Sequence, residues 1–522
     1  MTTHGAVREA SASAPIVWIA AILTSTIGAT LLFSAEAGIN WPIWVAAASI
    51  SLIASRIWSD KKVETPLAIL LTWATLLSLG FALSDNPFVR VLVVLSDAML
   101  LGLAIISIGS VSWGTLSAKL LAAVPFIAPY RVWRATAHQV ADAPRVGSSP
   151  RSRSLIKGTL LSAPLIIVLI ILLGRADPVI QWGTDLIAAW LPDWSFPPRL
   201  IFFLFLLTIT LGANSIASRQ VAAELPQIRG LGKQLTIGVT EQRMVLWSGA
   251  IVLWLFVLLQ ISYFIHPPPV ALNSGVTFAE YARRGFGELS FAATIVGAII
   301  IALEYSRPSE VTEHDKRVLV RLEVALLVAL ELILFSAFRR VILYEQAYGF
   351  TTSRLFAQAY MIGMALALVA LGIELARGGI SIAFGRRVAE IALGVVTVLV
   401  FWNHEAWIVN KNIDRAVQTG KFDFDYTRRL SGDALPTLIA RSRELGPAQA
   451  EVVAAVVCWP GTLVIRWFEW NRSERAQRRA FTAAHPSACP AGQFLVWRPF
   501  DQKKPQAIQD STSAASGGRP AS

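Results

Sequence analysis

Charge is what this sequence of 522 residues has least of: Asp, Glu, Lys and Arg together make up 15 % of it, against about a quarter in a soluble globular domain. With 54 % hydrophobic residues and a mean hydropathy of +0.55, the chain cannot cover its own apolar surface in water. That excludes an ordinary soluble globule and points to the bilayer. Cysteine is nearly missing. Cys458 and Cys489 alone exclude a disulfide framework and every multi-cysteine zinc or iron–sulfur pattern, and Cys458 sits in the apolar run EVVAAVVCW, where a buried thiol is the plain reading. The six histidines, His4, His138, His266, His314, His404 and His485, are scattered without metal spacing. GLGKQLT at Gly230 lacks a Ser or Thr directly after its lysine and so makes no phosphate loop, and the serines of GSVSWG miss the central position of a nucleophile elbow. No metal and no cofactor are therefore expected. Acidic residues are outnumbered by basic ones, 34 to 46. The excess falls in short patches between apolar runs, where membrane topology accounts for it, so nucleic acid is not an expected partner and membrane lipid is.

What is abundant is the long apolar run. A helix needs about 20 such residues to cross hydrocarbon with its backbone satisfied internally. Eleven segments qualify: Ile16–Ser34, Trp41–Ile57, Leu67–Leu83, Val89–Ile108, Leu155–Leu173, Leu200–Ala217, Val245–Ile265, Leu289–Tyr305, Val318–Phe338, Leu355–Leu375 and Val388–Trp402. Leu116–Tyr130 carries Lys119, Pro125 and Pro129 and reads as an interfacial or re-entrant helix. The expected fold is all-α, a polytopic transmembrane bundle of about eleven spans with a small helical C-terminal domain.

Lysine and arginine collect on one side. Arg56, Lys61 and Lys62, the segment from Lys119 to Lys157, the stretch from Arg219 to Arg243, the cluster from Arg307 to Arg321, and Arg377, Arg386 and Arg387 all fall in alternate loops. The positive-inside bias makes those loops cytoplasmic and, after an odd number of crossings, puts the region beyond Trp402 outside the inner (plasma) membrane. The expected organisation is a cytoplasmic tail (1–15), four N-terminal spans (16–108), a basic cytoplasmic loop with an interfacial helix (109–154), a seven-span core (155–402), an outer helical domain (403–485) and a largely disordered tail (486–522).

Basic residues placed against that bias ask for a local reason. Arg283 and Arg284, flanked by Tyr281 and Phe286, and Arg340 and Arg354 around Tyr344 and Glu345 lie in outer loops. Arginine suits phosphate or carboxylate through its planar fork, while arginines at helix ends also snorkel to headgroups. Beyond Trp402, Asn403, Glu405, Asn410, Asn412 and Arg415 are unusually polar for a helix leaving a membrane, and Asn403, Asn410 and Asp414 share one helical face that is expected to look back toward the arginine loops. Together these residues make a possible outer anion site, against the alternative of ordinary capping and docking. Within the spans, Asp97, Glu323, Glu331 and Glu390 are the costly ionisable groups. Glu323 and Glu331 are about 80° apart around a helix, so both fit one polar seam.

Six ordered stretches, RADPVI at Arg175, TEQRMVLWSGAIVLWLFVLLQISYFI at Thr240, FAEYARRGFGEL at Phe278, LYEQAYGFTTSRLF at Leu343, NHEAWIVNKNIDRA at Asn403 and RWFEWNRSERAQRR at Arg466, resemble the bacterial multipass family called domain of unknown function 4173, close to its 4153 relative. The resemblance runs from Leu155 to Arg479 and implies a multi-span architecture with a helical C-terminal part and no established activity. Three functional readings remain: recognition of an anionic envelope component or a protein partner at the outer face, proton-coupled secondary transport using Glu331 and Asp97, and an envelope enzyme acting on a lipid-linked substrate, for which Glu36 and Asp177 are the outer carboxylates.

Overall fold

Capping residues set where the helices of the computed structural model begin, which describes residues 14–108, 117–141, 162, 196–218, 237–265, 286–308, 310–448, 456–459, 466–484 and 494–497. The helices are α1 (Ala14–Leu31), α2 (Asn40–Ile57), α3 (Thr65–Ser78), α4 (Gly80–Leu83), α5 (Pro87–Ser107), α6 (Ala118–Ala141), α7 (Phe196–Ser218), α8 (Val239–Ile265), α9 (Phe286–Tyr305), α10 (Glu313–Tyr348), α11 (Thr352–Ala376), α12 (Phe384–Phe401), α13 (His404–Thr419), α14 (Phe424–Thr427), α15 (Leu435–Arg441) and α16 (Arg472–Ala484). Asn86 accepts from the Phe88 and Val89 amides at the start of α5, with Pro87 in the first turn. Thr312 does the same for α10, Thr351 for α11 and Asn403 for α13. Gly420, at φ +69°, closes α13 with the left-handed residue such an end favours. A two-stranded antiparallel ribbon, β1 (Val456–Trp459) with β2 (Phe494–Trp497), departs from helix; the β-branched run before Cys458 supplies its first strand.

The helices form two groups. In the first, α2 to α7 share a core that includes Val45, Leu67, Leu71, Leu77, Val93, Leu103, Ile106 and Val124, and α1 packs along α7 and α2. In the second, α8 to α11 share a core with Leu246, Ile300, Leu319, Leu326, Leu330, Met361 and Leu368. Helix α12 joins them, lying against α11 on one side and α4, α5 and α6 on the other. Short hydroxyl and amide contacts tie the first group: Ser25 Oγ lies 2.8 Å from Thr210 Oγ1, Ser55 Oγ donates to Asn214 Oδ1 over 2.8 Å, and Thr136 Oγ1 donates to the Thr208 carbonyl over 2.7 Å. Such bonds between membrane helices contribute about 0.6 kcal/mol each.

Six helices among the described residues are long and apolar enough to cross a membrane: Thr65–Leu83, Pro87–Ser107, Pro198–Ser218, Val239–Gln260, Gly287–Tyr305 and Thr352–Ala376. In α8 only 22 % of the apolar window is buried, and in α9 and α11 28 %. So much outward-facing Leu, Ile and Val is stable only against lipid, which makes the chain an integral membrane protein. Helices α1, α2, α10 and α12 run in the same bundle; the expected span Leu155–Leu173 lies outside the described residues. The expected interfacial segment at Leu116 is longer than its sequence suggested. Helix α6 continues through Pro125 and Pro129 to Ala141, Val124 fills the space beside Gly102, and Arg131 Nη1 donates to the Ile106 carbonyl over 3.1 Å.

At one end of the bundle Arg56 holds the Lys62 carbonyl and Glu64, Arg307 bridges Glu304 and Glu323, and Arg387 pairs with Glu374. The 84–86 and 349–351 turns and the residues after Trp402 meet at the other end. Helix α12 can approach the first group because position 80 is glycine: a Cβ there would lie 2.7 Å from Val400 Cγ1 and Val93 Cγ2. Gly80→Val is therefore expected to push α12 away and cost about 1–3 kcal/mol, read as a lower thermal midpoint of the purified protein in detergent.

Candidate functional site

Several residues singled out in the sequence turn out to fasten helix ends. Asn412 Oδ1 accepts from the Phe350 amide over 2.7 Å and its Nδ2 donates to the Phe350 carbonyl over 2.9 Å, at the turn where Gly349 has φ +91°. Arg415 donates to the Gln346 and Ala347 carbonyls, covering the last turn of α10. Asn410 and Asp414, expected to look toward the arginine loops, face Arg441 of α15 instead: Arg441 donates to Asn410 Oδ1 at 3.2 Å and pairs with Asp414 at 2.8 Å. The face of α13 that meets α10 is the one bearing Asn412 and Arg415, because Ile408, Val409 and Ile413 on the intervening stripe are drawn into the domain core.

The expected outer arginine cluster is only partly brought together. Arg354 lies 4.1 Å from the Tyr344 ring centroid and donates to the Gly349 carbonyl. Glu345 is buried and accepts from Gln358 over 2.9 Å. Arg340 donates to Gln260 over 2.7 Å, toward α8. Tyr281, Arg283 and Arg284 lie outside the described residues. Of the intramembrane acids, Asp97 accepts from Trp41 Nε1 over 2.9 Å and keeps its other oxygen buried without a hydrogen bond. Glu323 is paired with Arg307 at 2.8 Å, Glu331 has a buried oxygen without a partner, and Glu390 is about half exposed beside Arg386.

The densest polar assembly is one the sequence reading approached only through Asn403 and Glu405. It lies where the residues after Trp402 press on the end of α4 and the start of α5. Asp433 is buried and its carboxylate accepts from Ser84 Oγ, from the Asp85 amide over 2.8 Å and from Ser473 Oγ. Glu405 accepts from Asn86 Nδ2 over 2.8 Å and from the amide and hydroxyl of Ser431. Asn471 Nδ2 donates to the Phe81 and Ser84 carbonyls, the free carbonyls at the end of the third span. Asn403 caps α13 and donates to the Asp433 carbonyl over 3.1 Å. Nearby, Glu469 accepts from the Glu36 amide over 3.1 Å and the Trp470 carbonyl from the Ile39 amide over 2.9 Å. The signals that could have located this assembly are the turn tripeptides Ser84-Asp85-Asn86 and Ser431-Gly432-Asp433, each a side-chain-to-backbone capping pattern between apolar runs.

A cavity of about 340 Å³ opens beside this junction, lined on its apolar side by Leu83, Val400, Phe401 and Trp402 and on its polar side by Ser84, Asn403, Asp433, Thr437, Arg472 and Ser473. The acidic group there is saturated with donors. Among the described residues no protein partner is found for the guanidinium of Arg472, which is exposed at the first turn of α16, for the half-buried hydroxyl of Thr437 or for the indole N–H of Trp402. Thr437 lies one turn after Asp433, whose carbonyl Asn403 takes. A half-enclosed space with a guanidinium at its rim that is bound only by water is suited to exchange that water for an anion.

The sequence profile of domain of unknown function 4153 matches residues 71–440. The chain is a member of that family. The match is to the 4153 relative named with the resemblance, and it begins earlier than the resemblance, taking in most of the third span and all of the fourth; Arg466–Arg479 falls beyond it. Within the 4153 region lie the turn Ser84–Asn86, Glu405, Asp433 and Thr437, while Arg472 and Ser473 follow it. No curated protein and no solved structure matches the chain.

Burial pushes Glu405 up to about 7, with the Asp433 and Asp85 carboxylates adding to it against the hydrogen bonds from Ser431. Burial likewise raises Asp85 and lowers His404. A carboxyl held above its unfolded value of 4.5 favours the docked state fully below that pH and loses this contribution as pH rises through about 7; neutral His404 acts in the opposite sense, its contribution being lost as pH falls below its usual 6.5. Glu405→Gln should therefore abolish the part of the stability that declines between pH 4.5 and about 7, up to about 3 kcal/mol, in thermal unfolding of wild type and variant across that range. Asp433→Ala, which strands three donors, is expected to cost about 3–5 kcal/mol and to raise amide exchange in α13 and α16.

Proposed function

We propose that this integral membrane protein recognises an anionic envelope component in the junction cavity, on the extracytoplasmic side of the inner membrane. The observation that carries the reading is a cavity with the exposed guanidinium of Arg472 and the hydroxyl of Thr437 on its polar side, whose carboxylate, Asp433, takes its hydrogen bonds from Ser84, the Asp85 amide and Ser473 and makes no ion pair with Arg472. An anion gains a charge-assisted hydrogen bond there without displacing an existing partner. The sidedness rests on the distribution of Lys and Arg: the end of the bundle that carries Arg56, Lys61, Lys62, Arg307, Lys316, Arg377 and Arg387 is the cytoplasmic one, and the segment beyond Trp402, taken as a helical domain from 403 to 485, is outside. The arrangement of four N-terminal spans and a seven-span core belongs to the same reading.

Two measurements test it. Alkaline phosphatase fused after Ala484 should be active and green fluorescent protein at the same place dark; the reverse pattern would remove the extracytoplasmic assignment. Titration of glycerol phosphate, with glycerol as the neutral control, into the purified protein should give saturable binding. Arg472→Ala should weaken it about tenfold or more and Thr437→Val severalfold, with exposed Arg443→Ala unchanged. Equal binding of glycerol, or indifference to Arg472→Ala, would overturn the reading.

A further inference from the structure

Resting on that reading, we infer that the anion is the phosphate of a membrane lipid which enters the cavity sideways from the outer leaflet while its chains stay in the bilayer. The apolar wall consists of the ends of two bundle helices: Leu83 ends α4, Val400 and Phe401 end α12, and Trp402 follows it as the C-cap. That wall runs outward onto an uncovered apolar strip. Val398 is 61 % exposed, Phe401 44 % and Trp402 39 %, so the mouth is bordered by side chains stable only against hydrocarbon and the interface. Phe401 and Trp402 belong to both surfaces, cavity and strip. A wholly water-soluble anion has no use for such a border; an amphiphile matches both halves of it.

Size points the same way. About 340 Å³ is at the small end of the range for small-molecule pockets, enough for a phosphate and a glycerol-sized group and too little for acyl chains, which then lie along α12. The depth is also right for a headgroup. On the same segment as Arg472, Trp467 is 72 % exposed, and the Arg475 guanidinium carbon lies 5.6 Å from the Trp470 ring centroid; indoles and arginines at this density mark the headgroup level of a bilayer. Asp433 lines the cavity with its oxygens turned to Ser84, the Asp85 amide and Ser473, and it makes no ion pair with Arg472, whose exposed guanidinium is the cation within reach of a ligand phosphate.

The full-length protein in nanodiscs of phosphatidylcholine, with or without phosphatidic acid, gives the test, with bound lipid read by native mass spectrometry and glycerol phosphate titrated in parallel. Phosphatidic acid should be retained selectively and should outcompete glycerol phosphate. Phe401→Asn should weaken lipid retention severalfold and leave glycerol phosphate binding as it was, whereas Arg472→Ala should weaken both and Arg472→Lys restore part of each; unchanged thermal midpoints show that the variants fold. Glycerol phosphate bound as tightly as the lipid, with Phe401→Asn without effect, would overturn the lipid assignment and leave anion recognition standing. Binding of neither probe would overturn both.

Discussion

The end of the bundle where the residues after Trp402 dock depends on one buried carboxylate. Asp433 gathers a hydroxyl and an amide from the turn between the third and fourth spans and a second hydroxyl from α16, so three segments far apart in sequence are fixed to a single pair of oxygens. Left without those donors the charge would be too costly to bury; with them, burial becomes the reason that the turn, the 431–433 segment and α16 hold one arrangement. Glu405 repeats the device one step away, joining Asn86 to Ser431. Saturation of these acids is also what gives the neighbouring cavity its character, because the cation that remains, Arg472, is not consumed by them.

The same polar clamp solves a mechanical problem of the bundle. Its two groups of helices have separate cores and are joined through α12 by close packing at Gly80. The residues after Trp402 grip both groups: Asp433, Glu405 and Asn471 hold the ends of α4 and α5, and Asn412 and Arg415 hold the end of α10 and the following turn. Neither grip uses much apolar area. Both use backbone groups that helix ends leave unsatisfied, which is why short polar side chains and not large hydrophobic ones do the joining.

The helices themselves were readable because a span needs length and apolarity and little else. Sequence also exposed Asn412 and Arg415 as out of place in a helix leaving a membrane and left open a ligand site or ordinary capping and docking; their partners in the structure are main-chain groups of α10 and the turn after it. Which face of α13 turned inward could not be taken from Asn403, Asn410 and Asp414 alone, because the apolar stripe of Ile408, Val409 and Ile413 decides it. Asp433 was invisible for another reason. An aspartate after Ser-Gly reads as a turn residue, and nothing local tells that Ser84 and Ser473 will converge on it from positions 349 and 40 residues away. The family resemblance placed the chain among multipass proteins while missing that the shared region reaches back to residue 71.

The reach of Asn471 carries a consequence for biogenesis. Its amide closes on carbonyls 390 and 387 residues earlier in the chain, so those oxygens wait, hydrated at the membrane surface, through the synthesis and insertion of everything between. The segment around Asn471 thus acts as a late seal: until it is made, the helix ends at Phe81 and Ser84 keep open carbonyls that only water can satisfy.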